Sequence, residues 1–362
     1  MKKALIALGF LSAFSLGFAE NPQMSIKDQE TIDFYNNPTG NPSFYPKVKY
    51  FIDPFIKAEF TFWEITSSDF GFYRTGLRTT ENVENARGTV HEVKTKGVPG
   101  FKIALGGVTA HGGWDILSRY TYVNFSNSGK ASNTTQAGLP SHPIHVGNSR
   151  SFEETAPTSA KASEHLRVNI LDFEWGRKFY NSRFLALRFL SGVSALWAPT
   201  EGRYQYNFSP ATAATELEVD NVAVSGPVVV KETGDVWGIG PKFGFETNWF
   251  FMQNFSAFAR FALTPAYHNI DATRVENVFD GANLATNLAN ERVKGFSHLA
   301  AWSEFQLGIN GDCWFSDNSY CFSFNLLYEI QYWPAIRPRI GDQVFVGLIG
   351  AHGLTAGASL KF

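Results

Sequence analysis

Cysteine is scarce in this sequence: Cys313 and Cys321 are the two present in 362 residues. That is too few to staple a chain of this length into a disulfide scaffold. Charge is scarce too, at 18% of residues against roughly 25% in an average globular chain. The formal net charge is -2, which excludes a nucleic-acid binder working through an overall basic field. Long apolar runs are missing beyond the N-terminus, so no helical span of about 18 residues is expected there. Enzyme signatures are missing as well. No G-x-S-x-G elbow and no H-E-x-x-H zinc pair occurs. The glycines at 238, 240 and 244 have the wrong spacing for a nucleotide loop and sit in a strand pattern. His91, His111, His145 and His268 fall in expected loops or turns without ligand spacing, which reads as solvated histidine. No metal, no cofactor and no enzymatic activity are expected.

Aromatics are abundant instead: 34 Phe, 13 Tyr and 9 Trp, 15% of the chain. Yet mean hydropathy is only -0.15. Many aromatics with near-neutral hydropathy suggest strands that show an apolar residue outward at every second position. The stretch Tyr320 to Trp333 is the clearest case. Phe322, Phe324, Leu326, Tyr328, Ile330 and Tyr332 share one face, and Leu327 alone breaks the polar alternation opposite. The same period of two recurs at 55–65, 99–109, 114–125, 165–175, 183–196, 235–249, 253–267, 295–309 and 352–362. The phase changes after Ile170, which predicts a bulge.

Residues 1–19 carry Lys2 and Lys3, a short apolar core and Gly17-Phe18-Ala19 before Glu20. This is the form of a secretory signal peptide. Residues 20–54 are polar and Pro/Asn-rich and read as a periplasmic arm. Residues 55–362 then form an all-β antiparallel transmembrane barrel of ten strands, with twelve possible if loops 66–98 and 126–164 hide another hairpin. A spanning strand needs about 9–11 residues, which every segment supplies. Short connections alternate with long ones, the arrangement of periplasmic turns and external loops in the bacterial outer membrane. The chain closes on an apolar-alternating strand ending in Phe362, the form of an assembly signal for the barrel assembly machinery. Interfacial girdle candidates are Trp63, Trp114, Tyr122, Trp197, Trp249, Tyr332 and Trp333.

Function should lie on the face turned from lipid. The alternation points Lys57, Lys102, Arg119, Arg167, Arg188, Lys242, Arg260 and Lys361 inward. Glu59, Asp115, Asp172, Glu174, Glu246, Glu304 and Glu329 face them. A lumen so balanced predicts weak ion selectivity. The competing expectation is that these charges pair and close a narrow barrel. Cys313 and Cys321 flank one turn, and export favours a disulfide between them.

WDILSRYTYV (114–123), FEWGRKFYNSRFLALRF (173–189), GPKFGFETNWFF (240–251) and the terminal GLTAGASLKF resemble the major outer membrane protein family of Legionella and chlamydia-related bacteria. The resemblance implies a surface-exposed, porin-like barrel passing small hydrophilic solutes or ions. The alternative is a non-conducting structural barrel or adhesin acting through its long loops. Outer-membrane lipid and a homo-oligomeric partner are further expectations. Some family members are cysteine-rich, and two cysteines do not support a cross-linked coat.

Overall fold

The computed structural model describes residues 51–75, 89–109, 113–132, 142–143, 157–182, 184–207, 218–219, 222–223, 226–252, 254–280, 283–315, 320–340 and 344–362. The expected signal peptide, residues 20–50 of the expected arm, His111 and His145 lie outside them.

Ten antiparallel strands close into a barrel. They are β1 (Ile52–Thr66), β4 (Gly97–Thr109), β5 (Trp114–Ser132), β7 (Ser159–Ser182), β8 (Leu185–Asn207), β11 (Val228–Met252), β12 (Phe255–Asp280), β13 (Asn283–Phe315), β14 (Tyr320–Ile340) and β15 (Val344–Lys361). Around the wall the order is β1-β15-β14-β13-β12-β11-β8-β7-β5-β4, and β1 pairs with both β15 and β4. Closure leaves no strand edge, which hydrocarbon requires of a β structure. Short strands β2 (Gly71–Thr75), β3 (Thr89–Glu92) and β6 (His142–Pro143) form a separate sheet, and β9 (Glu218–Val219) pairs with β10 (Val222–Ala223). These extra strands are not part of the barrel wall, which has ten strands, not twelve.

Each strand alternates as its sequence does. Phe60, Phe62, Phe101, Leu105, Phe173, Phe189, Phe243, Phe245, Leu307 and Leu326 are exposed on the outer wall. Trp114 and Trp249 mark one end of that band, and Trp197, Trp237 and Tyr267 the other. Trp237 meets Tyr267 edge-on at 6.0 Å. Aromatic rims of this kind sit at the two membrane interfaces.

The strands outrun the membrane. β7, β8, β11, β12 and β13 hold 24, 23, 25, 26 and 33 residues, more than twice the span length. Much of the expected loops 197–234, 268–294 and 334–351 is therefore paired strand standing beyond the outer girdle. The pattern weakens there because lipid no longer demands an apolar outer face. Strand β1 likewise begins at Ile52, before the expected boundary at residue 55.

Four other expectations are corrected. Strand β7 crosses Ile170 in unbroken register with β5, so the bulge is absent. The phase change in the sequence comes from Leu166, Val168 and Ile170, which face an apolar interior above the membrane. Arg167 consequently points outward and lines no pore. Trp63 and Trp333 face inward, fully buried, with rings 6.2 Å apart. His268 lies within β12, buried, and Trp302 Nε1 donates to its Nε2 at 2.6 Å.

Candidate functional site

The interior is the candidate site, built in three layers along the barrel axis. Every remaining inward candidate from the sequence lies on the interior face of its strand: Lys57, Glu59, Lys102, Asp115, Arg119, Arg188, Lys242, Glu246, Arg260, Glu304 and Glu329. Asp172, Glu174 and Lys361 do as well.

The middle layer is an ion-pair cluster. Asp172 and Glu174 on β7 and Glu304 on β13 are shared by Arg119 on β5, Lys242 on β11 and Arg260 on β12. Arg119 Nη2 donates to Asp172 at 2.9 Å, Glu174 at 3.2 Å and Glu304 at 3.0 Å. Lys242 Nζ lies 3.0, 3.2 and 3.1 Å from the same three carboxylates. Arg260 donates to Glu174 at 2.6 Å and to Glu246, with its Nε 3.3 Å from Glu304. In the ring of ten, β5 and β13 stand diametrically opposite. Direct contact between Arg119 and Glu304 therefore bridges the lumen at this level. A void of about 20 Å³ remains, bounded by Lys102, Arg119, Asp172, Lys242, Trp302 and Glu304. That holds roughly one water.

The cluster extends in both directions. Lys102 Nζ donates to Glu329 and lies 5.0 Å over the Trp63 ring. Glu329 also accepts from Gln306 at 3.0 Å and Thr355 at 2.9 Å. Toward the periplasm, Arg188 binds Asp115 at 2.8 Å and Glu246 at 3.0 Å. The Arg188 guanidinium lies against Gly176, where any Cβ would collide with it. Glu59 accepts from Asn325 at 2.7 Å and pairs with Lys57 at 2.7 Å. Below this the barrel opens into a cavity of about 300 Å³ lined by Phe55, Lys57, Lys178, Asn248, Asn310 and Asp312, among others.

The outer layer is a cap. The segment after β1 turns into the mouth through a short 3-10 turn, Ser68–Phe70, whose N-cap Ser67 accepts from Asp69 N at 3.1 Å. Phe70, Phe72 and Tyr73 are buried there, with Phe70 stacked on Phe125 at 5.3 Å. Tyr206 Oη donates to Phe72 O at 2.9 Å, and Ser67 Oγ to Leu348 O at 2.7 Å. Strand β14 supplies the other half. A register shift between Pro334 and Arg337, with Ala335 at φ 60°, bends its end across the opening. Non-glycine residues take this backbone conformation at a cost, and here it re-aims the strand. Pro338 then docks on Gly234 of β11, where a Cβ would collide. Arg337 donates to Asp69 O at 2.6 Å and also to Glu164, which accepts from Tyr204 Oη as well. Glu164 lies beyond the outer girdle. Burial raises its carboxyl above the usual range, with Arg337 opposing. Burial and the Glu164 charge push the Tyr204 hydroxyl well above the ordinary phenol range, so it stays a donor.

These cap residues escaped sequence reading. Glu164 sits one position before the strand assigned there, and following the alternation further would have reached it. Phe70 to Tyr73 carry no period, because the 3-10 turn and the short strand β2 bury consecutive side chains.

The expected disulfide is absent: Cys313 and Cys321 are free thiols. In the β13–β14 register Cys313 pairs with Phe322 and Trp314 with Cys321. The cysteines are therefore one residue out of step. Side chains alternate faces, so Cys321 points inward with Ser323 while Cys313 points outward with Phe322.

Residues 54–347 match the family described as Legionella pneumophila major outer membrane protein precursor. No curated protein matches the chain. Among solved structures, the outer membrane protease OmpT from Escherichia coli is similar at 10% identity and a TM-score of 0.39, over 86% of this chain and 96% of that one. A FadL homologue from Pseudomonas aeruginosa is similar at 10% identity and TM-score 0.26, over 90% and 93%. The P. putida toluene transporter TodX follows at 8% and 0.29, over 85% and 89%. At these scores the likenesses carry no argument about this chain's chemistry.

Proposed function

Since the chain belongs to the Legionella pneumophila major outer membrane protein family, and so is a bacterial outer-membrane β-barrel, we propose that it serves as a closed, surface-exposed structural barrel rather than an open diffusion pore. The observation that carries this reading is the contact of Arg119 with Glu304 across the full diameter, inside a cluster shared by three cations and three carboxylates. Magnitude supports it. Barrels of about eight strands are filled by their own side chains, whereas aqueous channels need 16–18. Ten strands lie near the filled end. No catalytic group is invoked: the buried carboxylates are spent on ion pairs. In assembly, the final strand and Phe362, whose N–H donates to Pro54 O at 3.0 Å, act as the segment read by the barrel assembly machinery.

A second reading rests on the cavity of about 300 Å³ at the periplasmic end. In it the protein is a porin for small ions or hydrophilic solutes, conducting when the cap lifts and the cluster re-pairs. The test is planar-bilayer recording of residues 20–362, refolded and shown to be heat-modifiable. A silent membrane is the expected result. Frequent, discrete conductance steps from the same folded sample favour the porin and reject the closed barrel.

A further inference from the structure

The barrel interior pairs its charges almost completely. Lys57 takes Glu59, Lys361 takes Asp53, Lys102 takes Glu329, and Arg188 takes Asp115 and Glu246. Among the described residues, Lys178 on β7 and Asp312 on β13 are the interior charges that make no ion pair. Both line the periplasmic cavity of about 300 Å³. Asp312 is one of the anions whose field reaches Lys178. Strands β7 and β13 stand four places apart in the ring of ten, so the gap between the two charges runs across the lumen. The nearest aromatic neighbour of Lys178 is Tyr180, whose ring centre lies 5.7 Å from its Nζ.

The walls of this cavity also differ from the lumen above. Inward positions of the middle layer hold charges, whereas here three hold phenylalanine: Phe55, Phe250 and Phe258. Tyr180 continues that surface, 6.3 Å from Phe250 ring to ring. Apolar surface left in water is unfavourable, and so is a half-buried charge without a counter-charge. One molecule relieves both when it joins an apolar body to an anionic group for Lys178 and a cationic group for Asp312. A simple anion would meet Asp312 and Glu246, and a simple cation would meet Lys178 and Lys57, so neither suits the cavity. Volume sets the size. At about 30 Å³ per water the cavity holds about ten waters, the bulk of one amino acid rather than of a peptide. Small-ligand cavities begin at about this volume.

We propose that the periplasmic cavity binds a free α-amino acid with an apolar side chain, its carboxylate on Lys178, its ammonium on Asp312 and its side chain against Phe55, Phe250 and Phe258. The cavity lies below the ion cluster, so binding is independent of whether the barrel conducts. The probe is L-phenylalanine, titrated into the refolded full-length chain in neutral detergent micelles and followed by saturation-transfer NMR, with empty micelles as the blank. Two analogues separate the charges: phenethylamine lacks the carboxylate and 3-phenylpropionate lacks the ammonium. Wild type should bind phenylalanine about tenfold or more tighter than either, the worth of one hydrogen bond to a charged group. Lys178→Gln should lose the preference over phenethylamine and keep that over 3-phenylpropionate. Asp312→Asn should do the reverse. If the two residues were merely structural, their variants would weaken all three ligands alike, and unmoved ratios of this kind overturn the proposal. Wild-type binding of phenylalanine no tighter than of the analogues overturns it too, as does no binding at millimolar concentration. Should a variant fail to fold, as judged by heat-modifiability, the wild-type ratios decide. Current in a planar bilayer bears on the closed-barrel reading and leaves these ratios untouched.

Discussion

At the scale of single residues, the interior is held by shared charges. Glu174 is buried and receives Arg260, Arg119 and Lys242 together. Replacing it by Gln leaves Arg119, Lys242 and Arg260 one shared carboxylate short in a buried site. Removing one partner of a buried ion pair costs about 3–5 kcal/mol. We expect Glu174→Gln to lower the unfolding free energy by that order, read from urea unfolding in lipid vesicles. An unchanged midpoint would mean that the cluster is hydrated in solution. The cysteines give a second residue-scale prediction. Facing opposite sides of the wall, Cys313 and Cys321 should not cross-link under copper-phenanthroline oxidation of the folded barrel, and both thiols should be recovered after denaturation. A single intramolecular disulfide in the folded sample would show a β13–β14 register one residue different.

At the scale of elements, in the closed barrel we propose, the cap and the ion cluster act as two seals in series. The cap is a segment of β1's own continuation plus the bent end of β14, fastened at Arg337, Glu164 and Tyr204. Replacing Phe70, Phe72 and Tyr73 by Ala removes its buried aromatic contacts. The cluster beneath still spans the diameter, so we expect this triple variant to stay silent in a bilayer while the 67–75 segment becomes cleavable by external protease. Current from that variant would assign the seal to the cap alone and favour the porin reading. Adding Arg119→Ala and Lys242→Ala should open the barrel, seen as conductance that wild type lacks.

At the scale of the molecule, the outer wall and the interior answer to different solvents. Lipid selects Phe, Leu, Val and Trp outside between two aromatic rims, and a narrow closed ring selects side chains that fill and neutralise it inside. The long strands beyond the outer rim carry a polar outer face and an apolar inner one, Val168, Leu196, Ala198, Val228 and Val230 among them. Above the membrane the chain is thus a water-soluble barrel with an ordinary core. This inversion explains Arg167. It follows the outward phase of its strand into a region where outward means water.

The sequence alone determined the ten strands, their faces, the closing C-terminal strand and the inward charges of the middle layer, because a period of two records local backbone geometry and lipid enforces it residue by residue. It could not reveal which charges meet. Arg119 and Glu304 are 185 positions apart, and their contact exists only because closure sets β5 opposite β13. Nor could it place Trp63 against Trp333, or the Phe70–Tyr73 segment in the mouth, since both depend on ring size and on what remains unfilled within it. The pairing register separated the two cysteines by a single residue, a quantity fixed between strands rather than along one. The width of the interior is set by how many strands close around it, and that number belongs to the closed ring, not to any strand in it.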